Sequence, residues 1–136
     1  MSFLLDTNII SDLRRTAAHT APLDRWFAEQ TADSLFVSVI TIGEIREGIE
    51  RLRRRESRRA GILAHWLDDL SRVYRDRVLP IDAAVADEWG RLRSVRTLPV
   101  VDALLAATAR THGLTLVTRN DKDFAGLNLD VLNPFH

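Results

Sequence analysis

Phe3-Leu4-Leu5-Asp6-Thr7-Asn8-Ile9-Ile10 opens with three consecutive apolar residues, breaks at an acid and resumes with apolar residues at helical intervals. An apolar triplet without polar alternation suits a strand covered on both faces. Ile9, Ile10 and Leu13 predict a helix over Thr7 to Arg14. A strand that feeds directly into a helix is the unit from which parallel sheets are built.

The same alternation runs outward to the other end of the chain. Pro22 to Gln30 carries Leu23, Trp26 and Phe27 on one stripe, with Thr20 as its expected cap, and Leu35-Phe36-Val37-Ser38 is the next strand. Thr41 to Arg54 spaces Ile42, Ile45, Ile49 and Leu52 at a 3.6 period, and Ser57 to Arg75 does so with Ile62, Leu63, Trp66, Leu67, Leu70, Val73 and Tyr74. Val78 to Ile81 is a third strand. Asp82 caps a helix bearing Val85, Trp89 and Leu92, and Pro99 opens another that His112-Gly113 closes. Leu114 to Thr118 is a fourth strand and Val131-Leu132 a fifth. Short, wholly apolar strands separated by helices predict an α/β fold with a parallel sheet buried on both faces. No repeat, linker or low-complexity segment divides the chain, so residues 1–136 are expected to form one domain.

Composition narrows the chemistry. The 136 residues are 46% hydrophobic and 28% charged, the balance of an ordinary globule. Cysteine is absent, which excludes disulfides, zinc–thiolate sites and thiol nucleophiles. An acid at position 6 with no apolar run behind it does not fit a signal peptide, and no segment reaches the roughly 20 apolar residues of a membrane span. A cytoplasmic protein without membrane contact is the expectation. Net charge is zero, so no global field steers the chain toward nucleic acid. The basic residues are nevertheless clustered: Arg51, Arg53, Arg54, Arg55, Arg58 and Arg59 form one run. The run is either a solvated helix face or a seat for phosphates, which the planar guanidinium suits well.

In a parallel sheet the functional site lies beyond the carboxyl ends of the strands, so the acids there matter most. Asp6 is placed to cap the first helix. Glu44 completes Thr41-x-x-Glu44, the pattern of a capping box. Asp102 lies in the first turns of its helix, yet Leu105, Ala106 and Ala109 give it an apolar face. An acid on such a stripe is costly to desolvate unless something positive meets it. Asn120, Asp121 and Asp123 follow the fourth strand, where turn chemistry alone explains them. Gathered on one rim, these acids would repel, at about 4 kcal/mol per pair 4 Å apart for an effective dielectric near 20. A divalent cation relieves that repulsion, and all-oxygen ligation selects Mg²⁺ or Mn²⁺ over zinc. His19, His65, His112 and His136 are not spaced for a metal pair or set beside a nucleophile, and are read as structural.

In this order, the residues resemble the PIN-domain ribonucleases, in particular the VapC and FitB-like toxins of bacterial toxin–antitoxin pairs. The resemblance rests on Leu4-Leu5-Asp6-Thr7-Asn8-Ile9-Ile10-Ser11 and on Ser38 to Gly48 around Glu44. It continues through Asp102-Ala103-Leu104-Leu105-Ala106-Ala107-Thr108-Ala109, Leu116-Val117-Thr118-Arg119-Asn120 and Val131-Leu132-Asn133-Pro134, and so spans nearly the whole chain. It implies a three-layer α/β/α fold with a short, mainly parallel sheet of about five strands. It also implies a quartet of acids around one or two Mg²⁺ or Mn²⁺ ions, with Asp6 and Asp102 as direct ligands and Glu44 completing the shell. Some relatives carry the fourth acid where Asn120 stands and others slightly later. Asp123 is the expected fourth member, Asp121 the reserve, and Asn120 a holder of water or metal. The activity implied is hydrolysis of RNA phosphodiesters by a homodimer that a small VapB-like antitoxin neutralises. Arg53, Arg54 and Arg55 would then hold RNA phosphates, and Trp26, Phe27, Trp66 and Leu70 would line a partner groove if they are not core.

Three other readings are weaker. A receiver-type signalling domain wants an acidic pair in its first loop, and Asp6 has no acidic neighbour. A haloacid-dehalogenase-type phosphatase needs Asp-x-Asp, and position 8 is Asn8. A catalytically silent PIN-type module that binds an antitoxin or RNA has no reason to keep three mutually repelling acids at Asp6, Glu44 and Asp102.

Overall fold

The computed structural model describes residues 1–15 and 21–135; His19, the expected cap Thr20 and His136 lie outside them. Its elements run β1 (Phe3–Leu5), α1 (Thr7–Arg14), α2 (Ala21–Ala28), β2 (Leu35–Ser38), α3 (Val39–Arg53), α4 (Ser57–Val73), β3 (Val78–Leu79), α5 (Ala83–Val95), α6 (Val100–His112), β4 (Thr115–Val117) and β5 (Val131–Leu132). Short 3-10 turns precede β2 and β3 and span Asp121–Phe124.

All five strands pair in parallel, in the order β3-β2-β1-β4-β5. Every residue of β1 is buried, as the apolar triplet requires. Successive side chains of β1 enter different layers, because strand side chains alternate between faces. Leu4 joins Leu116, Val85, Leu92, Leu105 and Phe124 under α5 and α6. Phe3 and Leu5 join Val37, Val117, Ile9, Ile10 and Leu23 beneath the helices of the other face. The architecture is therefore the expected three-layer α/β/α. Burying each of these large side chains contributes roughly 1.5–3 kcal/mol before conformational entropy is set against it. Alanine at Leu4 or Leu116 would open a cavity between sheet and helix.

Local chemistry sets the joints. Gly113 closes α6 in the left-handed conformation at φ 66°, and the amide of Leu114 donates to the Ala109 carbonyl at 2.8 Å. Arg77 donates to the carbonyls of Ala32 and Leu35 at 2.6 and 2.7 Å and lies over the Tyr74 ring, 4.6 Å from its centroid. That guanidinium ties the end of α4 to the start of β2. Among the described residues no helix is long and apolar enough to cross a membrane.

One boundary departs from expectation in a way that matters. α3 starts at Val39, capped by Ser38, whose Oγ accepts from the Ile40 amide at 3.1 Å. Thr41 is already inside the helix, and the expected capping box of Thr41 with Glu44 does not form. Glu44 is thereby released from a purely local role.

Candidate active site

The sheet order places β2 and β3 on one side of β1 and β4 and β5 on the other. The chain thus reverses its direction of winding between β1 and β4, and the carboxyl ends of those two strands flank the crevice where α/β folds bind ligands. Asp6 follows β1 and Thr118 follows β4. α3 leaves directly from the carboxyl end of β2, and α6 runs back toward the amino end of β4 and so starts near this edge, which brings Glu44 and Asp102 within electrostatic reach of Asp6.

Asp6 is 7% exposed and caps α1, as expected, with Oδ1 accepting from the Thr7 amide at 2.6 Å. Its other oxygen is also engaged: Oδ2 accepts from the Thr118 hydroxyl at 2.7 Å and from the side-chain amide of Asn8 at 3.3 Å. These contacts fill three of the roughly four acceptor positions of a carboxylate. Burial pushes the Asp6 carboxyl above its ordinary pKa, outweighing the hydrogen bonds from Thr118 and Thr7 and the charge of Arg119. Glu44 is half-buried, and its Oε1 accepts from the Thr7 hydroxyl at 2.5 Å, which itself lies 3.2 Å from the Thr41 hydroxyl. Thr7, the first residue of α1, therefore ties Glu44 to the segment that carries Asp6, a long-range link between parts of the chain far apart in sequence.

Asp102 stands in the first turn of α6. Among the described residues no hydrogen-bond donor reaches its carboxylate. Burial raises its pKa first, and the negative charges of Asp6, Asp123 and Glu44 then raise it further, in that order. This response shows that the four acids share one electrostatic neighbourhood.

The candidates after β4 separate. Asp123 is exposed and acts on Asp102. Asp121 instead accepts from the side-chain amide of Asn133 at 3.1 Å, which fastens it to the segment after β5. Asn120 is exposed, and its backbone amide donates to the Thr118 hydroxyl at 3.1 Å. Arg53, Arg54 and Arg55 lie nine or more residues beyond Glu44, about 14 Å along the axis of a continuous helix. In that run Arg51 pairs with Glu47, Arg53 with Glu50, and Arg55 and Arg59 with Glu56. Such exposed pairs fit a solvated face.

Four side chains of the rim had no role in the sequence reading. Thr7, Asn8, Thr118 and Arg119 lie inside the quoted motifs, but nothing in their periodicity separates a hydroxyl that holds Asp6 from an ordinary strand or turn residue. Arg119 is positioned by Asp12, Nη1 to Oδ2 at 3.2 Å, and its amide faces Asn8 Oδ1 at 3.4 Å. Its charge acts on the Asp6 carboxyl and lowers its pKa in part.

These donors fit a hard divalent cation. They are carboxylate oxygens without sulfur or imidazole, Asp102 is unengaged, Glu44 keeps Oε2, and their mutual repulsion is what a cation relieves. Among the described residues no three Asp, Glu or His side chains already stand in ligating geometry, so the side chains would have to draw inward.

A second feature lies on the opposite side of α1. A cleft of about 450 Å³ is lined by Ile10, Leu13, Phe27, Trp66, Leu70 and Tyr74 among others. Trp26 instead packs edge-on against Phe3, with ring centroids 5.1 Å apart.

Comparison with known proteins identifies the fold. A family profile described as "PIN domain" matches residues 3–128. The chain is similar to VapC ribonuclease Y4jK of Sinorhizobium fredii, 30% identical over 97% of this chain and 96% of the relative. The crystal structure of FitAcB from Neisseria gonorrhoeae superposes with a TM-score of 0.89 at 29% identity, covering 98% of this chain and 99% of that one. A toxin–antitoxin complex from Klebsiella pneumoniae does so with a TM-score of 0.69 at 29% identity, covering 99% of each.

Proposed function

The chain belongs to the PIN-domain family, and from that membership we propose that it is a ribonuclease, the toxin of a toxin–antitoxin pair, whose acidic rim holds Mg²⁺ or Mn²⁺ and cuts RNA endonucleolytically. The observation that carries the metal-dependent part is the gathering of oxygen-only acids at one edge: Asp102 has no hydrogen-bond donor among the described residues, and burial first, then the charges of Asp6, Asp123 and Glu44, push its carboxyl above the ordinary pKa. Charges packed this way weaken the fold and are kept for what they bind. The ribonuclease and toxin parts draw support from the VapC ribonuclease relative and from the likeness to a toxin–antitoxin complex.

Each rim residue has a role in this reading. Asp6 and Asp102 are the direct ligands, Glu44 completes the shell, and Asp123 is the fourth acid. Thr118 and Asn8 hold Asp6 in one rotamer, and Thr7 does the same for Glu44. A divalent cation held by these residues would supply a water of lowered pKa and offset charge building on the phosphate, the chemistry that hydrolysis of an RNA phosphodiester needs. Arg119 lies close enough to balance phosphate charge near the acids. The apolar cleft beside Trp66 is the proposed seat of the antitoxin, whose apolar side chains would bury against Phe27, Leu70 and Tyr74.

The test is direct. Purified protein is incubated with total RNA and Mg²⁺ or Mn²⁺, beside an Asp6→Asn control, and the new RNA ends are mapped. Discrete new ends are expected with the native chain, and about a thousandfold fewer with Asp6→Asn, since Lewis-acid stabilisation is worth several kcal/mol at 1.36 kcal/mol per tenfold. Equal cleavage by both proteins would overturn the proposal.

A further inference from the structure

Asp123 is the exposed member of the quartet, and it stands on a short turn rather than on a helix or strand. Something must hold that turn if its carboxylate is to face Asp102. Phe124, 2% exposed, anchors one side of the turn in the core. The other anchor comes from far away in the chain. Arg96, in the loop between α5 and α6, donates through Nη1 to the Ala125 carbonyl at 2.7 Å and through Nη2 to the carbonyl of Asp123 itself. The base of Arg96 is fixed in turn: its amide donates to Leu92 at the end of α5, and Leu98 two residues on is buried in the same cluster as Phe124.

The choice of partners is informative. Among the described residues Arg96 makes no ion pair, although Asp123 is at hand, and its planar fork is spent on two main-chain oxygens two residues apart. Bidentate guanidinium contacts of this kind fix geometry as well as charge. The loop that carries Arg96 runs on through Pro99 into the helix bearing Asp102, so one side chain ties together the two segments that present Asp102 and Asp123. We propose that Arg96 is a positioning residue: by bridging the main-chain oxygens of Asp123 and Ala125 it aims the Asp123 carboxylate at Asp102 and completes the cation-holding rim. This rests on the metal-dependent reading above.

The test measures Mn²⁺ affinity of the full chain by calorimetry without RNA, in the native protein, Arg96→Ala, Asp123→Asn and the double variant. Residues that orient metal ligands typically change affinity by 10–100-fold. Arg96→Ala is expected to weaken binding about tenfold, Asp123→Asn at least as much, and the double variant no more than Asp123→Asn alone, because the two act through one carboxylate. Losses that multiply, or an unchanged Arg96→Ala or Asp123→Asn, overturn the proposal. Arg96→Lys keeps the charge but not the planar fork, and is expected to resemble Arg96→Ala. Native affinity in that variant would also overturn the role, and it carries the same cycle should Arg96→Ala not fold. If the native chain binds no Mn²⁺, the metal-dependent reading and the clamp fall together; if it binds and only the Arg96 variants match it, the clamp alone is wrong.

Discussion

Replacing Asp102 with asparagine is expected to abolish RNA cleavage while raising the melting temperature of the metal-free protein. Burial, and then the charges of Asp6, Asp123 and Glu44, push this carboxyl above its ordinary pKa. The native state therefore binds the proton more tightly than the unfolded chain does. Between the ordinary and the raised value the native state holds the extra proton, so stability falls as pH rises through that window. Above that window the carboxylate is charged and destabilising, and asparagine keeps the shape without the charge. Relief of such a site typically yields 0.5–2 kcal/mol, a gain of a few degrees. Calorimetry in a chelating buffer at pH 7 is the check, and the advantage of the variant should shrink as pH is lowered and the native carboxyl takes up its proton. Cleavage should fall about a thousandfold, on the same several-kcal/mol basis as for Asp6. A destabilised variant, or one that still cuts, would contradict the electrostatic account.

Thr118→Val probes the other side of the site. Thr118 is fully buried, and its hydroxyl donates to Asp6 Oδ2 at 2.7 Å while accepting from the Asn120 amide. Valine fills nearly the same volume but leaves a buried carboxylate short of a donor. Hydrogen bonds to charged groups are worth roughly 1.5–3 kcal/mol, so urea unfolding is expected to show a loss of that size. In an Asp6→Asn background the partner is neutral, and the loss should drop to about 0.5–1.5 kcal/mol. Equal losses in both backgrounds would mean that Thr118 serves the strand end and not Asp6.

The elements were legible in the sequence because each carries its own period: the apolar triplet Phe3-Leu4-Leu5 reads as a buried strand wherever it pairs. What periodicity could not supply was decided between elements. Ser38 and Thr41 are both able to cap a helix, and Thr41-x-x-Glu44 looks the better pattern. Pairing of Ser38 with Leu79 ends β2 at that residue, so the helix starts at Val39. Glu44, read as a local cap, then turns out to accept from Thr7, 37 residues away. Turn chemistry alone did not separate Asp121 from Asp123, and the bond from Asn133, beyond β5, to Asp121 is made only by the fold. Arg96 looks like any surface arginine, since its partners are main-chain oxygens that carry no sequence signal. Asp6, Glu44 and Asp102 could be named as candidates because each stands at a strand end or a helix start; which strands flank the crevice could not, because the reversal between β1 and β4 is a property of topology.

The most direct test of the acidic rim is a Mn²⁺ titration of the purified chain, followed by calorimetry and thermal melting. With the cation at about 100 times its dissociation constant, binding to the native state adds about 2.7 kcal/mol, a rise in melting temperature on the order of 10 °C for a chain of this size. Saturable binding with that rise is expected in the native protein and neither in the variant Asp6→Asn, Glu44→Gln, Asp102→Asn. No saturable binding, or the same stabilisation in the triple variant, would contradict the account.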